Sequence, residues 1–203
     1  NIMSLEGYEA DDLLGTVARR SEAKGMDVTI LSGDRDLLQL ATDKVLIRLP
    51  KTVRGKTTIE NYHTAEVLEK YQVTPPQIIE LKALMGDSSD NIPGIPGVGE
   101  KTATKMIVQF GSIENAHEHL EEVKPNKAKE SLREHYDLAQ LSKELATINT
   151  DSPLEFSYEN NIDELKTCVT SSCAGAYLEK TSDGIAIHSY HLPEYMLSSL
   201  RTC

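Results

Sequence analysis

Between Glu9 and Lys24 the apolar residues Ala10, Leu13, Leu14, Val17 and Ala18 recur at helical spacing and Gly25 closes the run, which predicts an amphipathic helix. A short apolar stub, Ile2 to Leu5, precedes it. The period then changes. Val28-Thr-Ile-Leu-Ser32 is a compact β-branched run that stops at Gly33, the pattern of a buried parallel strand. Next come a short helix through Leu37, Leu38 and Leu40, a strand over Val45 to Leu49, and a turn at Arg54-Gly55 before Thr57-Thr58-Ile59. This alternation predicts an α/β sheet covered by helices, with ligands beyond the carboxyl ends of its strands.

From Thr64 the pattern is helical: Thr64–Tyr71, Pro75–Met85, Glu100–Phe110, Ser112–Leu120, and two more helices between Lys127 and Ala146. Pro75 and Pro76 sit where a helix start tolerates proline, with Thr74 as the expected N-cap. Residues 86–99 read as a loop punctuated by glycine and proline between two helices. The chain thus divides at 1–62, 63–160 and 161–203. The last segment turns to Ser, Thr and Cys with poor periodicity, and no element is assigned to it.

Composition sharpens this picture. The 203 residues, 39% of them hydrophobic, suffice for one domain or two small ones with a real core. No apolar run approaches the roughly 18 residues of a membrane helix, so no membrane partner is expected. Cys168, Cys173 and Cys203 are odd in number and lack a second ligand pair for zinc, which favours reduced thiols in a cytosolic protein. No charged segment with an apolar core follows Asn1, so no signal peptide is expected and the chain reads as a fragment. The net charge of −11, from 21 Lys+Arg and 32 Asp+Glu, argues on average against a polyanionic partner.

The carboxylates, however, are grouped. Glu9, Asp11 and Asp12 open the first helix, where ordinary complementing of the helix dipole is the rival explanation. Asp34 and Asp36 directly follow the apolar strand, at the edge where α/β sheets place ligands. Asp87 and Asp90 open the glycine loop, where turn chemistry is the rival. Together they supply oxygen ligands with no nearby His or Cys, a set suited to Mg²⁺ or Mn²⁺ rather than zinc. Two such ions activate water and stabilise the leaving oxygen of a phosphodiester. A glycosidase pair is disfavoured, because no Trp and only two Phe are available as a sugar platform.

Gly94-Ile-Pro-Gly97-Val98-Gly99-Glu100-Lys101-Thr102 is not a P-loop, since Glu100 stands where that motif needs lysine. It is a tight turn feeding a helix with Lys101 and Lys105 in its first two turns, the pattern of a helix-hairpin-helix that binds nucleic-acid backbone. A plain helix-connecting loop is the alternative for the glycines alone. Lys51, Arg54 and Lys56 ring one turn, and Lys124, Lys127, Lys129 and Arg133 gather around Pro125; either group reads equally as a solvated face. His117 and His119 are expected at the surface, and Tyr8, Tyr62 and Tyr71 are core residues more readily than base-stacking ones.

Three stretches carry a resemblance: Tyr8-Glu9-Ala10-Asp11-Asp12, Gly33-Asp34-Arg35-Asp36-Leu37-Leu38-Gln39-Leu40, and Gly86-Asp87 through Asp90-Asn91-Ile92-Pro93 to Lys101-Thr102-Ala103. In order and spacing they resemble the 5′-nuclease domain of bacterial DNA polymerase I, over about residues 5–158. The resemblance implies a partial PIN-like nuclease sheet with flanking helices, followed by an all-helical helix–two-turn–helix subdomain. It implies two metal ions, with Glu9, Asp11 and Asp12 serving the first position and Asp34, Asp36, Asp87 and Asp90 the second. It further implies that Gly94, Gly97, Val98, Gly99, Lys101, Thr102 and Lys105 grip the duplex backbone, with a potassium ion held by loop carbonyls. The implied partner is branched or 5′-ended duplex DNA, met by a monomer whose parent carries a polymerase domain. The family's first strand, two early Asp residues and basic arch are expected before Glu9, where this chain has only residues 1–8.

Two function classes follow. One is a metal-dependent 5′→3′ exonuclease and flap endonuclease; the other is a non-catalytic module that binds DNA structure. An RNA-cleaving relative is a weaker third, because the hairpin pattern favours duplex DNA. A sheet lacking its family's first strand is expected to expose an edge.

Overall fold

Apolar stripes of two periods build two structural units, Asn1–His63 with Ile148–Cys203, and Thr64–Thr147. They are seen in a computed structural model that describes residues 2–54, 56–156, 168–171, 174–181 and 184–190. The first unit contains strands β1 (Ile2–Met3), β2 (Val28–Leu31), β3 (Val45–Val53), β4 (Lys56–Tyr62), β5 (Cys168–Ser171), β6 (Ala174–Thr181) and β7 (Gly184–Tyr190), and helix α1 (Ala10–Ala23). The strands form one sheet in the order β1-β5-β6-β7-β2-β3-β4.

β2 alternates rather than burying both faces: Val28 and Ile30 are buried, while Thr29 and Leu31 are half-buried. It pairs parallel with β3, Val28 opposite Val45 and Ile30 opposite Ile47, so the four side chains share one inner face. α1 presents Leu13, Leu14, Val17 and Ala18 to the core, as the 3.6-residue period requires. Its C-terminus stops at Gly25, whose φ of +82° suits a residue without Cβ.

The strand read over Val45–Leu49 runs on to Val53 and pairs antiparallel with β4, from Ile47 opposite Tyr62 to Val53 opposite Lys56. Pairing, not burial, extends it, because Lys51 to Val53 are exposed. On its other side β2 pairs parallel with β7, Val28 opposite Ile185 and Leu31 opposite His188, so this side of β2 is not the open edge expected. The tail thereby supplies three strands where sequence periodicity assigned none. The cysteine side chains lie outside the described residues.

A non-periodic segment completes this unit. Residues 148–154 run along α1: Asn149 N–H donates to Asp12 Oδ1 (2.8 Å), Ser152 N–H to Thr16 Oγ1 (2.9 Å), and Arg20 to the Ser152 and Leu154 carbonyls (2.8 and 2.5 Å). Gly15 makes room for the segment, since a Cβ there would stand 3.0 Å from Ile148 Cγ2.

The second unit is helical: α2 (Thr64–Tyr71), α3 (Gln77–Met85), α4 (Glu100–Phe110), α5 (Ile113–Glu118), α6 (Asn126–Glu134) and α7 (Tyr136–Ala146). Val67, Leu84, Ala103, Ile107, Ile113, Leu132 and Ala139 are fully buried in it. The start of α3 corrects the expected cap. Pro76 is the N-cap, and the polarity at Thr74 is reversed: its N–H and hydroxyl donate to Gln77 Oε1 (2.9 and 3.1 Å). α5 starts as read, with Ser112 Oγ accepting from Asn115 N–H. Among the described residues no helix is long and apolar enough to cross a membrane.

Candidate functional site

In the first unit the acidic residues emerge where an apolar strand and an apolar helix both run out. β2 ends at Leu31; Ser32 N–H then donates to the Arg48 carbonyl (3.1 Å), and Ser32 Oγ accepts from Asp34 N–H (3.0 Å). Asp34 Oδ1 in turn accepts from Asp36 N–H (2.9 Å), a short side-chain-to-backbone turn that starts the 3₁₀ helix Asp36–Leu40. Across from it, Glu9 caps α1 and Asp12 Oδ2 accepts from Glu9 N–H (3.2 Å).

Between these lies Asp11. Burial first, and then the charges of Glu9, Asp12 and Asp34, push its pKa from 3.8 up to about 6. Glu9, Asp11, Asp12 and Asp34 have no ion pair among the described residues. Four carboxylates thus share one end of the unit without a cation, and a divalent ion is the species that such a set fits. Asp12 differs from the rest: its two oxygens are already engaged by the backbone N–H groups of Glu9 and Asn149.

In the second unit the loop after α3 is held by its own backbone. Asp87 and Ile92 exchange two hydrogen bonds (2.9 and 2.8 Å), and Ile95 N–H reaches back to the Leu84 carbonyl (2.8 Å). Gly94 N–H donates to Ser142 Oγ on α7 (3.0 Å). Asp87 Oδ2 stands 2.7 Å from Lys82 Nζ, and Asp90 Oδ2 stands 3.5 Å from it. Asp87 also accepts from the N–H and hydroxyl of Ser89. The Lys82 hydrogen bond, then those from Ser89, lower the Asp87 pKa to about 2. Lys82 is buried and was not among the expected site residues; its signal is a charge that, with Glu80, interrupts the apolar run Ile78–Leu84.

The hairpin follows from alternation. Ile92, Ile95 and Val98 turn into the core, while Pro96, Gly97 and Gly99 are left exposed. Gly97 has φ +75°, and Gly99 caps α4, its carbonyl accepting from Thr102 and Ala103 (2.9 and 3.0 Å). Lys101 and Lys105 are exposed on the first turns of α4.

The two basic groups resolve differently. Lys51 pairs with Glu60 at 2.8 Å, and Lys129 and Arg133 pair with Glu121 at 3.1 and 2.9 Å. Lys101, Lys105, Lys124 and Lys127 have no ion pair among the described residues. His117 stacks on Tyr136 with ring centroids 3.8 Å apart, and Tyr62 is buried with its hydroxyl donating to Glu60 Oε2 (2.6 Å).

Known proteins share this order of elements. A model of the 5′-3′ exonuclease N-terminal resolvase-like domain matches residues 1–72, and one of the 5′-3′ exonuclease C-terminal SAM fold matches residues 73–167. The chain is 56% identical over 153 residues to DNA polymerase I of Bacillus subtilis (strain 168), a match covering 75% of this chain and 17% of that protein. It is 53% identical over 156 residues to DNA polymerase I of Bacillus caldotenax, covering 77% and 18%. The chain therefore spans less than a fifth of the length of these relatives. Among solved structures, a T5 5′-exonuclease with bound divalent metal ions (zinc) superposes with a TM-score of 0.61 at 29% identity, covering 73% of this chain and 53% of that one. A T5 flap endonuclease in a pseudo-enzyme-product complex with DNA and metal ions gives a TM-score of 0.60 at the same identity. With both halves of the family matched in order over most of its length, the chain belongs to the 5′-3′ exonuclease family.

Proposed function

We propose that this chain is the greater part of a metal-dependent 5′→3′ exonuclease and flap endonuclease that hydrolyses DNA phosphodiesters. The observation that carries the reading is the uncompensated group of Glu9, Asp11, Asp12 and Asp34, which holds Asp11 near pKa 6 until a cation arrives. Glu9, Asp11 and Asp12 serve one ion, and Asp34, Asp36, Asp87 and Asp90 a second, Mg²⁺ or Mn²⁺ in both cases. Bound there, such ions would activate water and stabilise the leaving oxygen, with no covalent enzyme intermediate.

The protein's own groups do the positioning. Lys82 keeps Asp87 ionised and oriented. The hairpin of Gly94, Gly97, Val98 and Gly99, with Lys101, Thr102 and Lys105, holds one strand of a branched or 5′-ended duplex by its backbone, with K⁺ on the loop carbonyls. The parent protein, a monomer, adds a polymerase domain and acts in primer removal and repair. Incubating the natural full-length protein with a 5′-flap duplex and Mg²⁺ tests this: cleavage is expected, and Asp34→Ala is expected to abolish it. Absence of cleavage, or cleavage indifferent to that change, sinks the proposal.

A second reading, a DNA-structure binding module without turnover, is favoured by Asp12, whose two oxygens already serve backbone N–H groups. Mg²⁺-dependent turnover by residues 1–203 excludes it.

A further inference from the structure

Helix α3 carries two charges in its apolar run, and they serve different ends. Glu80 is taken up inside the helical unit by Lys143 Nζ (2.5 Å) and Ile113 N–H (3.0 Å). Lys82, only 6% exposed, reaches the loop that follows: its Nζ stands 2.7 Å from Asp87 Oδ2 and 3.5 Å from Asp90 Oδ2. Its backbone joins the same turn, the Lys82 carbonyl accepting from Gly86 N–H (2.8 Å). The other oxygen of Asp87, Oδ1, accepts from the N–H and hydroxyl of Ser89. Asp87 is thus gripped at both oxygens, and only its remaining lone pairs are left for a ligand.

Stability alone does not account for Lys82. Burying an ammonium is costly, and a buried ion pair often adds nothing that packed apolar side chains would not. Asp87 and Asp90 are partly open to water and would be hydrated without it. What an ammonium does that a methyl group cannot is change the charge met by an incoming ion. With Lys82 against them, Asp87 and Asp90 together present a single net negative charge. Glu9, Asp11, Asp12 and Asp34 have no ion pair among the described residues, so no built-in cation offsets them.

We propose that Lys82 is a positioning residue for the second divalent ion, a fixed counter-cation that keeps Asp87 aimed and makes the Asp87–Asp90 position the weaker of the two. The proposal rests on the two-ion reading given above and adds an order to it: the group at the start of α1 fills first, and the Asp87–Asp90 position stays exchangeable. A unit charge touching a ligand carboxylate changes divalent-ion affinity on the order of 10-fold even where water screens it. Freeing one carboxylate rotamer takes back a few-fold at most, roughly. Charge therefore prevails, and removing Lys82 tightens the position. A lysine that only oriented Asp87 would give the opposite sign.

The test is Mn²⁺ titration of the full chain, with free ion counted by electron paramagnetic resonance. Wild type is expected to show a tighter and a weaker position, and Asp87→Asn to lose the weaker one. Lys82→Met, and Lys82→Gln, which keeps a donor for Asp87, are expected to tighten the weaker position on the order of 10-fold and leave the tighter one unchanged. Lys82→Arg is expected to match wild type. Urea titration at rising Mn²⁺ reads the same affinities as gains in stability, so a variant that unfolds without the ion still reports. Unchanged or weaker binding in both Lys82→Met and Lys82→Gln overturns the counter-cation and leaves the two-ion reading standing, as does Lys82→Arg tightening as much as they do. Wild type that binds no Mn²⁺, or binds it indifferently to Asp87→Asn, overturns both.

Discussion

Gly94→Ala tests whether the loop between α3 and α4 is held by close backbone contact. Gly94 has φ +60°, and a Cβ there would stand 2.2 Å from Gly86 N and 2.6 Å from the Met85 carbonyl carbon. Both are backbone atoms, so no rotamer change relieves the overlap. A left-handed conformation costs an L residue roughly 1 kcal/mol before any contact is counted. To make room, the paired backbone of Asp87 and Ile92 must part and Gly94 must leave Ser142, which breaks three hydrogen bonds. At about 1 kcal/mol net for each, the total loss is about 4 kcal/mol. With a urea slope of about 2 kcal/mol/M, the unfolding midpoint of the helical unit falls by roughly 2 M. Urea titration followed by circular dichroism measures this, with Gly33→Ala as the control. A Cβ at Gly33 meets nothing within 4 Å, so that variant is expected to match the wild type or gain slightly. A Gly94→Ala midpoint within about 0.3 M of wild type refutes the reasoning, as does an equal drop in the control.

Two other perturbations address buried charge. Lys143 Nζ stands 2.5 Å from Glu80 Oε1 and 2.8 Å from Glu114 Oε1, while the buried Glu80 also accepts from Ile113 N–H at 3.0 Å. Lys143→Met leaves Glu80 uncompensated and is expected to cost about 3 kcal/mol by urea titration at pH 7. Burial opposes both shifts in this group, yet the hydrogen bonds between Lys143 and Glu114 prevail, raising the lysine and lowering the carboxyl. Stability from Glu114 is therefore lost as pH falls below 4.5, and stability from Lys143 as pH rises above 10.5. The Lys143→Met variant should lose both flanks of that profile. Asp11 behaves oppositely to an ordinary paired carboxylate. With its pKa raised from 3.8 to about 6, its contribution is full below 3.8 and lost as pH rises through 6. That shift corresponds to at most about 3 kcal/mol, and to about 2 after solvent screening. Asp11→Asn is thus expected to raise metal-free stability at pH 8 and to weaken stabilisation by added Mg²⁺. Unchanged stability at pH 8 removes the case for an uncompensated acidic group.

Local signals are what the sequence made legible. The helix over Glu100–Phe110 is bounded by Gly99 and Gly111, and its apolar stripe needs no tertiary information to be seen. The start of α3 was harder, because Thr74 is a preferred cap by type, whereas the Gln77 side chain took its donors instead. Residues 148–154 were invisible for a different reason. They have no period, and are held by Asp12, Thr16, Arg20 and Gln39, residues more than 100 positions earlier in the chain. The outer half of the β3–β4 ribbon likewise follows strand pairing, which leaves no alternation on an exposed surface.

The site shows the same division. Carboxylate spacing was readable because each group is local in sequence, but the state of each oxygen was not. Asp12 has both oxygens committed to backbone and Asp87 is committed to Lys82, while Asp11, which accepts only from Asp12 N–H (3.1 Å), is buried among like charges. Net charge misled for a related reason. It sums groups that neutralise one another, such as Lys129 with Glu121 and Lys143 with Glu80, with groups that do not. A ligand feels only charges within about 10 Å at ordinary salt. At the hairpin these include Lys101, Lys105, Lys124 and Lys127, all without ion pairs among the described residues. At the end of β2 they are Glu9, Asp11, Asp12 and Asp34, equally unpaired. On the function proposed above, a polyanionic substrate and divalent cations need surfaces of opposite sign on one chain. A mean charge of −11 is what remains when the acidic surface, and the acids spent on internal pairs, outnumber the basic one.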